Sequence, residues 1–249
     1  MATKAPHHRI PPLSLSASLR LPLINKYLAM ADPISVVEVG CGQGAMAYRL
    51  ASRFDYQGYE PDESSFKVAA DRVSDLGLGK VHNTPIPTTP PRRYSALLAF
   101  EVLEHIEDDL DALRGWTRWV EKGGAVVISV PAHPHRFGAW DRAVGHYRRY
   151  SRQGLIDVMS AAGIDVRVVG SWGMPFGYVL EAARNTLFHR GMSDGSTPER
   201  TARSGRLFQP WAQLGRVPEW TMKPFSYFQI PFIATDLGIG YVALGRVPG

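Results

Sequence analysis

Cysteine is almost absent. Cys41 stands alone in 249 residues, which excludes an internal disulfide or a cysteine-based zinc site and suits a reducing compartment. Long apolar runs are also lacking. No uninterrupted stretch approaches the ~20 residues a membrane-spanning helix needs, and the apolar segment 13–23 is broken by Arg20 and Pro22. Residues 1–9 are largely polar, with His7 and His8 adjacent, so no export signal is expected and a cytoplasmic location is. Strong charge of one sign is missing too: 28 Lys and Arg against 23 Asp and Glu leave +5, a weak argument for nucleic acid. Apolar residues at 45% and charged residues at 20% exclude a disordered or collagen-like chain. The length suits one large domain, or a domain with a lid.

What is present from Ser35 onward is an alternation of short apolar runs with helical patterns, the mark of an α/β sheet protein. Strands are expected at Ser35 to Val39, Tyr56 to Tyr59, Lys80 to Asn83, Ala96 to Phe100, Ala125 to Val130, Asp165 to Gly170 and Gly240 to Arg246. Helices are expected from Gly44, from Glu63, from Leu103 through Val120 and from Ser151, with a further one at Tyr178 to Arg190. Ala132 to Tyr150 reads as a long loop rich in His, Arg and aromatics. Trp172 to Asp236 reads as an insertion whose polar middle, Gly191 to Gly205, is expected to be mobile. Residues 1–34 then form an N-terminal helical segment, 35–170 the core, 171–236 an inserted cap or lid, and 237–249 the last core strand.

Glu38-Val39-Gly40-Cys41-Gly42-Gln43-Gly44 falls between a strand and a helix. Glycines there let the backbone turn tightly and approach a ligand. Glu60 ends the next strand, sixteen residues after Gly44, where a carboxylate can accept hydrogen bonds from ribose hydroxyls. A dinucleotide site favours GxGxxG with a pyrophosphate on the helix N-terminus. Here the third glycine comes one residue sooner, and Glu38 at the mouth would repel a pyrophosphate. A ligand with an ammonium and no phosphate fits better, which favours S-adenosylmethionine (SAM) over NAD.

The EVGCGQG turn, Glu60 in GYEPD, and FEVLEHIED from Phe100 to Asp108 resemble class I SAM-dependent methyltransferases, in particular the bacterial small-molecule group related to the ubiquinone-type enzymes. The resemblance runs from about Ser35 to Val169 and includes the last strand. It implies an α/β fold, a Rossmann-like seven-stranded, mostly parallel sheet with helices on both faces, and an inserted cap before the last strand. It also implies SAM as cofactor, with S-adenosylhomocysteine (SAH) as product. Glu38, Gly40, Cys41, Gly42 and Gly44 would line the methionine and ribose part, Glu60 and Pro61 the ribose, and Phe100 and Glu101 the methionine moiety. Two departures stand out. His82-Asn83-Thr84 occupies the place of the Asp that often contacts adenine, with Asn83 able to take over, and Tyr94-Ser95 replaces the usual Phe-Asp.

On the acceptor side, an oxygen nucleophile needs a base, and histidine is matched to neutral pH. His133 and His135 follow the fifth strand, and His146 lies in FGAWDRAVGHYRRY, a stretch with a D-x-x-x-G-H-x-R-R-Y element found in bacterial methyltransferases of this type. These three are the candidate bases. Five arginines (136, 142, 148, 149, 152) accompany one acid, Asp141. Either Asp141 pairs an arginine in a structural clasp, or the stretch lids an acceptor, with Arg148 or Arg149 gripping an anionic group and Trp140 and Tyr150 as walls. His105 either ties down its helix or meets the acceptor. The His133-Pro134-His135 spacing could suggest a metal, but no clear set of further ligands accompanies it, and none is expected. The aromatics of the insertion could pack on the sheet, roof an apolar pocket, contact a second subunit in a homodimer, or rest on lipid.

The reading is methyl transfer from SAM to a small organic acceptor at an oxygen, an anionic acceptor being one that the arginines would suit, in natural-product or secondary-metabolite biosynthesis. No nucleic-acid partner and no integral membrane segment are expected. The rivals are a nucleic-acid methyltransferase, a SAM-binding protein that transfers no methyl group, and an enzyme for a lipid-linked acceptor.

Overall fold

Val36, Val37 and Val39 of the first strand, β1 (Ser35–Val39), are all buried, and alternation divides them between two cores. Val36 packs with one apolar cluster, Val37 and Val39 with the other. The same alternation recurs in β4 (Tyr94–Phe100) and β5 (Val120–Pro131), as a sheet covered on both faces requires. In this computed structural model, residues 10–74, 76–77, 79–188 and 227–249 are described. The expected polar segment 191–205 lies outside them.

The remaining strands are β2 (Asp55–Tyr59), β3 (Lys80–His82), β6 (Asp165–Trp172) and β7 (Gly240–Arg246). The sheet has seven strands in the order β3-β2-β1-β4-β5-β7-β6. The pairs from β3 through β5 are parallel, and β7 runs antiparallel to both β5 and β6. The order reverses between β1 and β4, so a crevice opens at their carboxyl ends, where ligands of such sheets bind.

Helices α1 (Leu15–Ala31), α2 (Ala45–Ala51) and α3 (Glu63–Ser74) supply one core; α4 (Asp109–Thr117) and α6 (Arg152–Ala161) supply the other. Helix α1 continues through Pro22. Proline inside a helix forfeits a backbone hydrogen bond, and burial of Leu19, Leu23, Ile24, Tyr27 and Leu28 offsets that loss. The expected continuous helix from Leu103 to Val120 is instead a 3-10 turn at Leu103–His105 followed by α4, which ends at Thr117. Asp108 explains the restart, because its side chain accepts from the Asp111 amide at 2.9 Å as an N-cap.

The stretch 132–150 is more ordered than a loop. It holds a 3-10 turn at Pro134–Arg136, the short helix α5 (Ala139–Val144) and a bridge from Ala132 to Tyr150. Helix α7 (Phe176–Phe188) packs against α5 and α1. Buried Gln229 ties the returning chain down, donating to the Leu19 carbonyl at 2.6 Å and accepting from the Gly173 amide at 2.9 Å.

Candidate functional site

Gly40, Gly42 and Gly44 have φ of 67°, 55° and 77°, the left-handed region that glycine enters without penalty. A Cβ on Gly40 would meet Val102 Cγ2 at 2.6 Å, and one on Gly44 the Ala69 Cα of α3 at 2.7 Å. One on Gly42 would meet nothing within 4 Å. Two glycines therefore seat the turn against the fold, while the middle one faces open space. Behind it, Glu60 accepts from the Gly42 amide at 2.7 Å and the Asp62 amide at 2.9 Å. Burial raises its pKa against the pull of those two amides. A carboxylate has about four acceptor positions, so two remain for ligand hydroxyls.

Asn83 donates to the Glu60 and Pro61 carbonyls at 3.0 and 3.2 Å, fixing the chain end that carries the acid. Glu38 does not stand at the mouth as the sequence suggested. It is buried and accepts from the Tyr56 hydroxyl at 2.6 Å, and burial pushes its pKa up to about 7. The thiol of Cys41 is buried as well, and burial raises it well above its ordinary value. Glu101, next to Phe100, holds φ of 57°, a strained conformation for a side-chain-bearing residue. Its carboxylate accepts from Ser129 Oγ at 2.9 Å and pairs with Arg20 of α1 at 3.2 Å.

Beside Glu101 lies a small cavity of about 40 Å³, walled by residues that include Trp140, Asp141, His146, Arg149, Glu181 and Arg184. Asp141 organises this wall. Fully buried, it receives His146 Nδ1, Arg149 Nε, Arg149 Nη2 and the Gly138 amide, each at 2.8 Å. Burial alone would raise its pKa, yet the hydrogen bonds from His146 and Arg149 outweigh that and hold it below the usual carboxylate range. An ionised Asp141 only accepts, so His146 Nδ1 is assigned as the donor in this contact. Nε2 then faces Glu104, 3.8 Å away, and His146 borders the cavity.

The other predicted residues disperse. His133 gives Nε2 to the Gly238 carbonyl at 2.8 Å, His135 is exposed, and neither lines the cavity. Arg148 binds the Glu107 carbonyl and Asp109, the latter at 2.8 Å; Tyr150 also donates to Asp109, at 2.7 Å. Arg149 is buried among Asp141, Glu181 and the Ala132 carbonyl. Both arginines are thus engaged within the protein, in the clasp arrangement. Burial, with the His146 charge second, lowers His105 to about 3, which keeps it neutral and makes it a poor base.

Sequence reasoning missed Glu104, Glu181 and Arg184. Glu104 is fully buried, and neither carboxylate oxygen has a hydrogen-bond partner among the described residues. Burial, and then the Glu101 charge, raise its pKa well above the ordinary value. One ligand atom each from Glu104, His105 and His146 lie within 4.8 Å of one another, an oxygen-and-nitrogen set able to hold a divalent cation. The signal for Glu104 was its adjacency to His105. Glu181 and Arg184 carried none beyond their three-residue spacing on α7. Of the cap aromatics, Trp172 is buried in the cavity wall, Tyr227 and Phe228 are exposed, and Trp211, Trp220 and Phe225 lie outside the described residues.

A glycine turn and an acid at the ends of adjacent parallel strands, with an antiparallel seventh strand inserted beside the last, define a Rossmann-like α/β fold of the methyltransferase type. A methyltransferase-domain family model matches residues 15–168, and the chain belongs to that family. Among curated relatives, a ubiquinone biosynthesis O-methyltransferase of Nitrosomonas europaea is 28% identical over 129 residues, which is 50% of this chain and 55% of the relative. A trans-aconitate 2-methyltransferase of Rhodococcus jostii is 28% identical over 130 residues, covering 44% and 49%. The matches thus span about half the length of these relatives. Similar solved structures include coclaurine N-methyltransferase with N-methylheliamine and SAH (TM-score 0.58, 16% identity, 91% of this chain and 72% of that one). Another is the cyclase SpnF (0.54, 16%, 96% and 98%). The cyclase is a reminder that one fold hosts several reactions.

Proposed function

We propose that this chain is a SAM-dependent methyltransferase acting on a hydroxyl oxygen of a small organic molecule, in natural-product or secondary-metabolite biosynthesis. The observation that carries the reading is the left-handed glycine turn. Its middle position, Gly42, is open, and Glu60 waits behind it with acceptor capacity left over. That cradle fits an adenosyl ligand whose ribose hydroxyls donate to Glu60, and family membership supports the same choice. When bound, SAM supplies a methyl carbon on a positively charged sulfur.

The residues of this chain would do the rest. Glu101, strained in its backbone and paired with Arg20, lines the cavity in which the acceptor would sit. His146, oriented through Nδ1 by Asp141, would take the acceptor's hydroxyl proton on Nε2 as the oxygen attacks. The resulting imidazolium is stabilised by the same carboxylate.

Calorimetric titration with SAM and SAH tests the reading, alongside Glu60→Ala and a methyl-transfer assay with phenolic acceptors. Micromolar binding is expected, weakened about 10- to 100-fold in Glu60→Ala, as loss of hydrogen bonds to a charged group predicts. Asp141→Asn is expected to lower kcat more than KM. A folded protein that binds neither compound would end the proposal; binding without turnover on any acceptor would leave a SAM-binding protein that transfers no methyl group.

A further inference from the structure

Each of the three acids that line the cavity is paired with an arginine. Glu101 is paired by Arg20 at 3.2 Å, Asp141 by Arg149 at 2.8 Å, and Glu181 by Arg136 at 2.7 Å and again by Arg149. Glu104 has no arginine at ion-pair distance among the described residues, but it lies against His146 and does not line the cavity. Among the wall arginines that leaves Arg184. It makes no ion pair or hydrogen bond with any described residue, its Nε is sealed from solvent without a partner, and its guanidinium lies 5.3 Å from the centre of the Trp140 ring. Stacking orients such a group and leaves its N–H fork free. A partly buried cation with no carboxylate at ion-pair distance among the described residues is costly in a fold; Glu101 and Glu181 act on Arg184 only at longer range, and burial outweighs them and lowers its pKa. Residues that cost stability at a cavity wall are commonly kept for a ligand.

We propose that Arg184, held by Trp140, binds a carboxylate on the acceptor, so that the substrate is a small hydroxy acid. The assignment rests on the methyltransferase reading and narrows it. A monoanion is favoured over a phosphate dianion because Glu101, Asp141 and Glu181 share the wall, and no second unpaired cation lines it among the described residues. The fork of a single arginine matches a carboxylate bidentately. The grip on an anion thereby falls to α7 rather than to Arg148 or Arg149, whose guanidinium groups are engaged by protein carboxylates.

The test compares a charged ligand with its neutral isostere. The SAH-saturated protein is titrated with 3-hydroxybenzoate and 3-hydroxybenzamide, with acetate, benzoate and inorganic phosphate alongside. A carboxylate is expected to bind at least tenfold tighter than its amide, and Arg184→Gln to abolish that preference while leaving SAH affinity unchanged. Without ligand, Arg184→Gln is expected to melt at a higher temperature than the native protein, the reverse of what loss of a structural arginine gives. No binding by any of the three carboxylates overturns the proposal, as do tighter binding of phosphate or a preference that survives Arg184→Gln. Absence of SAH binding in the same titrations would instead strike at the methyltransferase reading; the carboxylate arms run on the SAH-free protein then decide this one separately.

Discussion

At the scale of single residues, burial has rewritten roles that residue type suggested. Glu38 lies in the protein interior and accepts a hydrogen bond from the Tyr56 hydroxyl instead of guarding the mouth. Its pKa stands at about 7 against an ordinary 4.5, so the fold favours the protonated form. Its contribution is complete below pH 4.5 and declines as pH rises towards 7, by about 3 kcal/mol in all. His105 works the other way: lowered to about 3, it contributes in full above pH 6.5 and loses that as pH falls. The difference between Glu38→Gln and the native protein isolates the first effect. Thermal melts at pH 5, 6.5 and 8 are expected to show the variant gaining on the native protein as pH rises, and a difference that stays flat would sink the assignment.

At the scale of elements, the glycine turn and the strands around it follow from local rules, and the 103–120 and 132–150 stretches follow from capping and long-range pairing. Gly44 and Gly42 both carry positive φ, but only Gly44 abuts α3 backbone. Gly44→Ala therefore strains the turn and also pushes on a helix, a cost of about 1–3 kcal/mol. Gly42→Ala strains the turn alone and places a methyl group where a ligand would lie. The two variants are expected to cross: Gly44→Ala melts lower, while Gly42→Ala loses more affinity for SAH. Parallel melting and calorimetry check this, and equal losses in both readouts would refute the division of labour.

At the scale of the whole molecule, α1 is part of the core and not an appendage ahead of it. It packs on β5, β6, β7 and α7, buries Leu19, Leu23, Ile24, Tyr27 and Leu28, and sends Arg20 to Glu101. Deleting residues 1–31 would uncover one face of the sheet, and each large side chain exposed there is worth roughly 1.5–3 kcal/mol. Such a truncation is expected to lose its cooperative thermal transition, as circular dichroism can follow; a sharp transition near the native temperature would show α1 to be dispensable. No helix among the described residues is long and apolar enough to cross a membrane.

The sequence by itself determined the number and approximate positions of the strands and the glycine turn, and placed Glu60 just past β2, because buried parallel strands and left-handed turns each impose a residue pattern within a few positions of themselves; β5, however, begins at Val120, five residues before the expected Ala125. It also singled out the stretch holding Asp141, His146, Arg148 and Arg149, and left open which arginine pairs the acid. Which of four histidines meets the cavity, which arginines are already paired and which is left over were decided only in three dimensions. Those outcomes depend on partners remote in the chain: Gly238 for His133, Glu181 for Arg149, Trp140 for Arg184. Charge pairing and burial are set by contact across the fold, and no local spacing carries them.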